Sequence, residues 1–175
     1  MKRLLSIIGA ISLLGTSTTS LVACNKTHEY TPEELAKLKE ENKINTKDQT
    51  IRDNLEWIAA QEKPFNTVDN KWYYVVWKGK NWNNTKIKND QEIITPPKWE
   101  YRYKDLDIKK EYKLQLRYYS RNNTTIDLII FKSINDPSLI WKKDTNNFKV
   151  YRWNLDITEP NLVVDNDGNI KVDGE

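Results

Sequence analysis

The chain has 175 residues, with 28 Lys and Arg against 25 Asp and Glu, one His and one Cys. That length holds one ordinary domain, and a formal charge of +3 is too small to mark a nucleic-acid binder. A single cysteine excludes an internal disulfide and any cysteine-only zinc site.

The chain opens with two cations, Lys2 and Arg3, followed by an apolar run of 11 residues, Leu4 to Leu14, and a small polar stretch from Gly15 to Ser20. This order is that of a secretory signal peptide. The run is too short for a comfortable spanning helix, which needs about 20 residues. The tetrad that follows, Leu21-Val22-Ala23-Cys24, resembles the lipobox of bacterial lipoproteins: Leu at −3, a small residue at −1 and Cys at +1. The whole leader is similar to those of mollicute lipoproteins of the spiroplasma type. The resemblance implies a diacylglyceryl group on the Cys24 thiol and cleavage between Ala23 and Cys24. It also implies a protein held to membrane lipid, including a palmitate-type acyl chain, at the outer face of the cell membrane. Two acyl chains give stable anchoring where one holds marginally. Loss of Lys2 and Arg3 from the 28 basic residues leaves 26 against 25 acidic ones, a net charge of +1.

Residues 24–30 read as a polar tether containing His28, and residues 31–63 as a helical segment. Thr31-Pro32-Glu33-Glu34 is a capping box with Pro at the first helical position, opening a helix from Pro32 to about Lys43 with a thin apolar stripe. Thr46 and Gln49 offer a second capping box. Ile51, Leu55, Ile58 and Ala59 then fall on one helical face, and Pro64 ends that helix.

Over residues 64–175 the period changes to two. Lys71 to Trp77 is rich in strand formers, and Lys78-Gly79-Lys80-Asn81 is a turn. Trp99, Tyr101 and Tyr103 alternate with charges, as do Tyr112, Leu114, Leu116 and Tyr118. Thr124 to Lys132 is uniformly apolar enough for a central strand. Leu139 to Trp141 is a short strand, Tyr151 to Ile157 alternates again, and Asn161 to Asp173 reads as a terminal hairpin. The expected fold is α+β: N-terminal helices packed on a mainly antiparallel sheet or small β-sandwich.

Chemistry is sparse. His28, in a tether, has neither a positioned partner nor shelter from water, so it is not read as catalytic. Without another His, triads and His-ligated metals are excluded. Asp165-Asn166-Asp167-Gly168 looks like the core of a calcium loop, but the acidic ligands two residues before and at the twelfth position are missing: Val163 and Gly174 stand there. The segment reads as a hairpin turn with Gly168 at positive φ. A paired-carboxylate hydrolase is the weakest reading, because no linear spacing identifies the pair. No cofactor is expected. Lys, Asn and Ile, at 22, 19 and 17 residues, are residues of A/T-rich codons, so Asn-rich patches are discounted. The 19 aromatic residues are harder to dismiss. Trp72, Trp77 and Trp82 are the expected binding residues, with Trp82 the most exposed ring in a polar loop, whereas Trp99, Tyr101 and Tyr103 are assigned to the core. The expected function is a non-catalytic binding or adhesion module for a host protein or glycan, with no nucleic-acid partner. The alternative is a structural or accessory surface subunit docking on a membrane partner.

Overall fold

A computed structural model describes residues 29–175; the leader, Ala23, Cys24 and His28 lie outside the described residues. Two α-helices, α1 (Pro32–Glu41) and α2 (Gln49–Asn54), precede ten strands: β1 (Leu55–Ile58), β2 (Trp72–Lys78), β3 (Trp82–Lys88), β4 (Tyr101–Lys109), β5 (Tyr112–Ser120), β6 (Thr124–Phe131), β7 (Leu139–Ile140), β8 (Phe148–Trp153), β9 (Leu162–Val164) and β10 (Ile170–Val172). The chain is thus mostly antiparallel β with few, short helices, and the α+β expectation holds in that coarse form.

Helix α1 forms on its predicted capping box. The Glu34 backbone N–H donates to Thr31 Oγ1, and the Thr31 N–H donates to Glu34 Oε2 at 2.8 Å. None of its residues is buried. Lys39 ties it down by reaching Glu56 at 2.6 Å and Glu62 at 2.7 Å. Just before α1, Tyr30 is clasped by the Gln61 amide, which accepts from its N–H at 2.6 Å and donates to its carbonyl at 2.9 Å.

The second predicted helix is corrected. Asp48, not Thr46, is its N-cap, with Oδ1 accepting from the Ile51 N–H at 3.1 Å. The helix stops at Asn54, and Leu55 to Ile58 run on as β1 beside β8, from Leu55 opposite Trp153 to Ile58 opposite Val150. Pairing buries both faces of this short apolar run, with Leu55 and Trp57 to one side and Ile58 to the other. A helical stripe would bury only one. The helical segment predicted for residues 31–63 therefore gives way to sheet at Leu55.

The strands form two four-stranded sheets, in the orders β1-β8-β2-β3 and β4-β5-β6-β7, and a β9–β10 hairpin. The sheets share one core. Ile58, Tyr73, Val75, Trp77, Phe148 and Val150 come from the first, and Leu114, Leu116, Tyr118, Leu128 and Ile130 from the second. The far face of the first sheet is also covered: Tyr74, Val76, Tyr151 and Trp153 pack with Ile44, Ile51, Leu162 and Ile170 from the helical segment and the hairpin. A strand buried on both faces reads as a continuous apolar run, which explains why Tyr73 to Trp77 are all buried. The outer face of the second sheet carries no such apolar cluster: Ile129 is buried there with Gln115 and Asp127, but the side toward β4 is exposed.

Candidate binding face

Strand β5 fixes which way the second sheet looks. Its Leu114, Leu116 and Tyr118 enter the shared core, so Arg117 and Tyr119 point out. In the antiparallel register Tyr101 sits opposite Tyr119, and Tyr103 opposite Arg117, and directly opposed residues share a face. Tyr101 and Tyr103 therefore point outward, 44% and 54% exposed, and the preceding Trp99 is 55% exposed. This corrects the core assignment of all three. The inward positions of β4 hold Arg102 and Lys104 instead. At the rim of two stacked sheets their long stems lead the charged heads out to water.

The rings form a row. Tyr101 stacks on Tyr119 with centroids 4.5 Å apart and lies 6.3 Å from Tyr103, both pairs at 18°. Cations accompany them: the Arg117 guanidinium is 5.5 Å from the Tyr101 ring, while Arg121 and Lys98 are 5.0 and 5.8 Å from the Trp99 ring. Trp99 has φ +70°, an outlier for a bulky residue. Its N–H holds the Ser120 carbonyl at 2.6 Å and the Glu100 N–H holds the Pro97 carbonyl at 3.0 Å, which fixes the indole outside the sheet.

Beside the row, on the same outward face, lies a paired polar layer. Asp127 is buried and receives Arg117 at 2.7 Å and Lys142 at 2.6 Å. Burial pushes its carboxyl up, but these two hydrogen bonds outweigh it and hold the group below the ordinary carboxylate range. Gln115 at 2.5 Å and Lys113 at 3.0 Å do the same for Asp105. Among the described residues no group of three or more His, Cys, Asp or Glu is placed to hold a metal ion.

The predicted binding tryptophans sit elsewhere. Trp77 is 0% exposed in the shared core, its indole N–H donating to Thr85 Oγ1 at 2.9 Å and Thr85 in turn to Asp107 at 2.7 Å. It is a core residue, which corrects its assignment to binding. Trp82 is not in a loop but opens β3, opposite Lys78. Its ring is half-buried against Gly168 of the terminal turn. Trp72 is half-buried on the same covered face, under Lys86 and Lys88 at 5.1 and 5.9 Å. The Asp165–Gly168 segment is the predicted turn: Gly168 has φ +77°, and Asp165 Oδ1 accepts from the backbones of Asp167 and Asn169 at 3.0 and 2.8 Å. Those bonds, led by the one from Asn169, and Lys171 depress the Asp165 carboxyl.

Sequence reasoning missed Arg117, Tyr119 and Arg121, and placed Trp99, Tyr101 and Tyr103 on the wrong side. The one local signal was the consecutive pair Tyr118-Tyr119: in a strand the two rings must point to opposite faces, so one of them had to be outward. Set against known proteins, the chain matches no protein family, no curated protein and no solved structure.

Proposed function

We propose that the chain is a lipid-anchored surface protein, processed at Ala23–Cys24, whose β body is a non-catalytic binding module acting through Trp99, Tyr101, Tyr103 and Tyr119. We read the body as a small two-sheet sandwich with short N-terminal helices against it, a rigid backing for that face. The observation that carries the reading is the set of rings on the outer face of β4 and β5, with Trp99, Tyr101 and Tyr103 exposed and half-buried Tyr119 stacked on Tyr101. Contiguous exposed apolar patches mark interaction sites, and Trp, Tyr and Arg are the residues that dominate binding energy. A hydrolase's general acid needs a raised carboxyl pKa, which excludes from that role Glu56, Asp105, Asp127, Glu159 and Asp165, all held down by hydrogen bonds and neighbouring cations.

The test uses the full-length protein in lipid nanodiscs, probed against arrays of host glycans and host proteins. The parent gives a signal that a Trp99→Ser/Tyr103→Ser variant loses with its thermal midpoint unchanged. A blank array, or a variant as bright as the parent, removes the binding reading in favour of a structural role. For the anchor, a fatty-acid probe labels the parent and leaves Cys24→Ser dark; equal labelling ends the lipoprotein reading.

A further inference from the structure

Resting on the binding-face reading, we infer that the ligand of the row is an acidic polysaccharide, a sugar chain bearing carboxylate or sulfate groups. The reason lies in what the rings have left to offer. The Tyr101 face is used internally, stacked on Tyr119 with Tyr103 and Arg117 beside it, and the Lys98 and Arg121 cations stand 5.8 and 5.0 Å from the Trp99 ring centroid. Beside its rings the row shows three phenol hydroxyls, none with a hydrogen-bond partner among the described residues. A partner rich in hydroxyl and anionic oxygens matches that surface.

Charge points the same way. The acids beside the row are already matched, Asp127 by Arg117 and Lys142, Asp105 by Lys113, and Glu100 by Arg102 at 2.8 Å. Lys98 and Arg121 have no carboxylate partner among the described residues. They flank the ring that the left-handed backbone at Trp99 holds outward. Non-glycine residues in that region are strained and cluster at ligand clamps. The row thus carries two unmatched cations beside exposed donors.

An acidic polypeptide fits less well. Its best route to affinity would be to add a strand to the open edge of β4. That edge is blunted by Arg102 and Lys104, by a bulge between Asp105 and Asp107, and by the inward Asp107 held on Thr85, the devices by which proteins discourage strand addition.

The experiment titrates the full-length protein, in nanodiscs of zwitterionic lipid, with heparin and hyaluronate as sulfated and carboxylated probes. Dextran serves as the neutral chain, and poly-glutamate and oligothymidylate as the other polyanions. Heparin or hyaluronate binds, dextran binds at least about tenfold more weakly, and a fivefold rise in salt costs about tenfold in affinity, as two screened contacts require. Lys98→Gln/Arg121→Gln loses about tenfold for the acidic glycan with its near-ultraviolet spectrum unchanged. Equal binding of dextran, equal or tighter binding of poly-glutamate or oligothymidylate, or a charge variant that binds as the parent does overturns the inference. Binding that survives the charge variant yet vanishes in Trp99→Ser/Tyr103→Ser overturns the ligand class and keeps the face. Binding indifferent to both variants removes the face itself.

Discussion

Gly168 and Trp82 show how single positions decide what is surface and what is structure. Gly168 combines φ +77° with a close approach: a Cβ built there would meet Trp82 Cε2 at 2.5 Å. Gly168→Ala therefore has to strain the backbone and displace an indole at once, and it is expected to lower unfolding stability by about 2–4 kcal/mol in urea titrations. Trp82 is read as the lid of the hairpin, so its substitution shows up in stability before it shows up in binding. Asp127 makes a different statement, about pH. Its folded pKa lies below the ordinary value of 3.8, so its ion pairs with Arg117 and Lys142 contribute in full above that value. The contribution drains away as pH falls through the lowered folded value, where the carboxylate takes up its proton. Asp127→Asn is expected to cost about 1–3 kcal/mol at pH 7, leaving two cations short of an acceptor. It should also flatten the acid limb of the stability–pH curve. A variant whose urea midpoint falls on acidification as steeply as the parent's would sink this account.

At the scale of elements, the two sheets are tied at their neighbouring edges by a chain of three side chains: Trp77 of β2, Thr85 of β3 and Asp107 of β4. Thr85→Val keeps the shape but leaves the buried indole N–H without an acceptor. Its expected cost is about 1–3 kcal/mol, read as a lowered urea midpoint, with β3 and β4 amides exchanging faster. Legibility also differed by element. Helix α1, β5, β6 and the terminal hairpin could be read because capping, alternation and turn residues agreed at each. Strand β3, Trp-Asn-Asn-Thr-Lys-Ile-Lys, could not, because an edge strand pairs on one side only and tolerates polar residues that resemble a loop. Strand β1 could not either: Leu55 and Ile58 suit one helical face and the two faces of a doubly buried strand equally, and only the distant β8 resolves them.

For the whole molecule, the layering explains which part of the site was legible. Alternation placed Trp99, Tyr101 and Tyr103 on one face, and they share one. Which face turns inward is set by the β4–β5 register and by where the opposite sheet ends, facts that no stretch of β4 contains. The helices and the hairpin close the far side of the first sheet, while the β4 side of the second sheet's outer face stays exposed. The Gln61 clasp on Tyr30 gains meaning from this layout. If Cys24 carries the proposed lipid anchor, the six steps from Cys24 to Tyr30 would reach at most about 20 Å even if fully extended. The leash thus ends at a fixed point beside β1, an edge of the first sheet, while the aromatic row rides on β4 and β5, alongside the opposite edge strand β3. On the proposed anchoring, a leash so short and pinned there would keep the globule close to the bilayer and limit its tumbling, with the ring row carried like a palm away from the wrist.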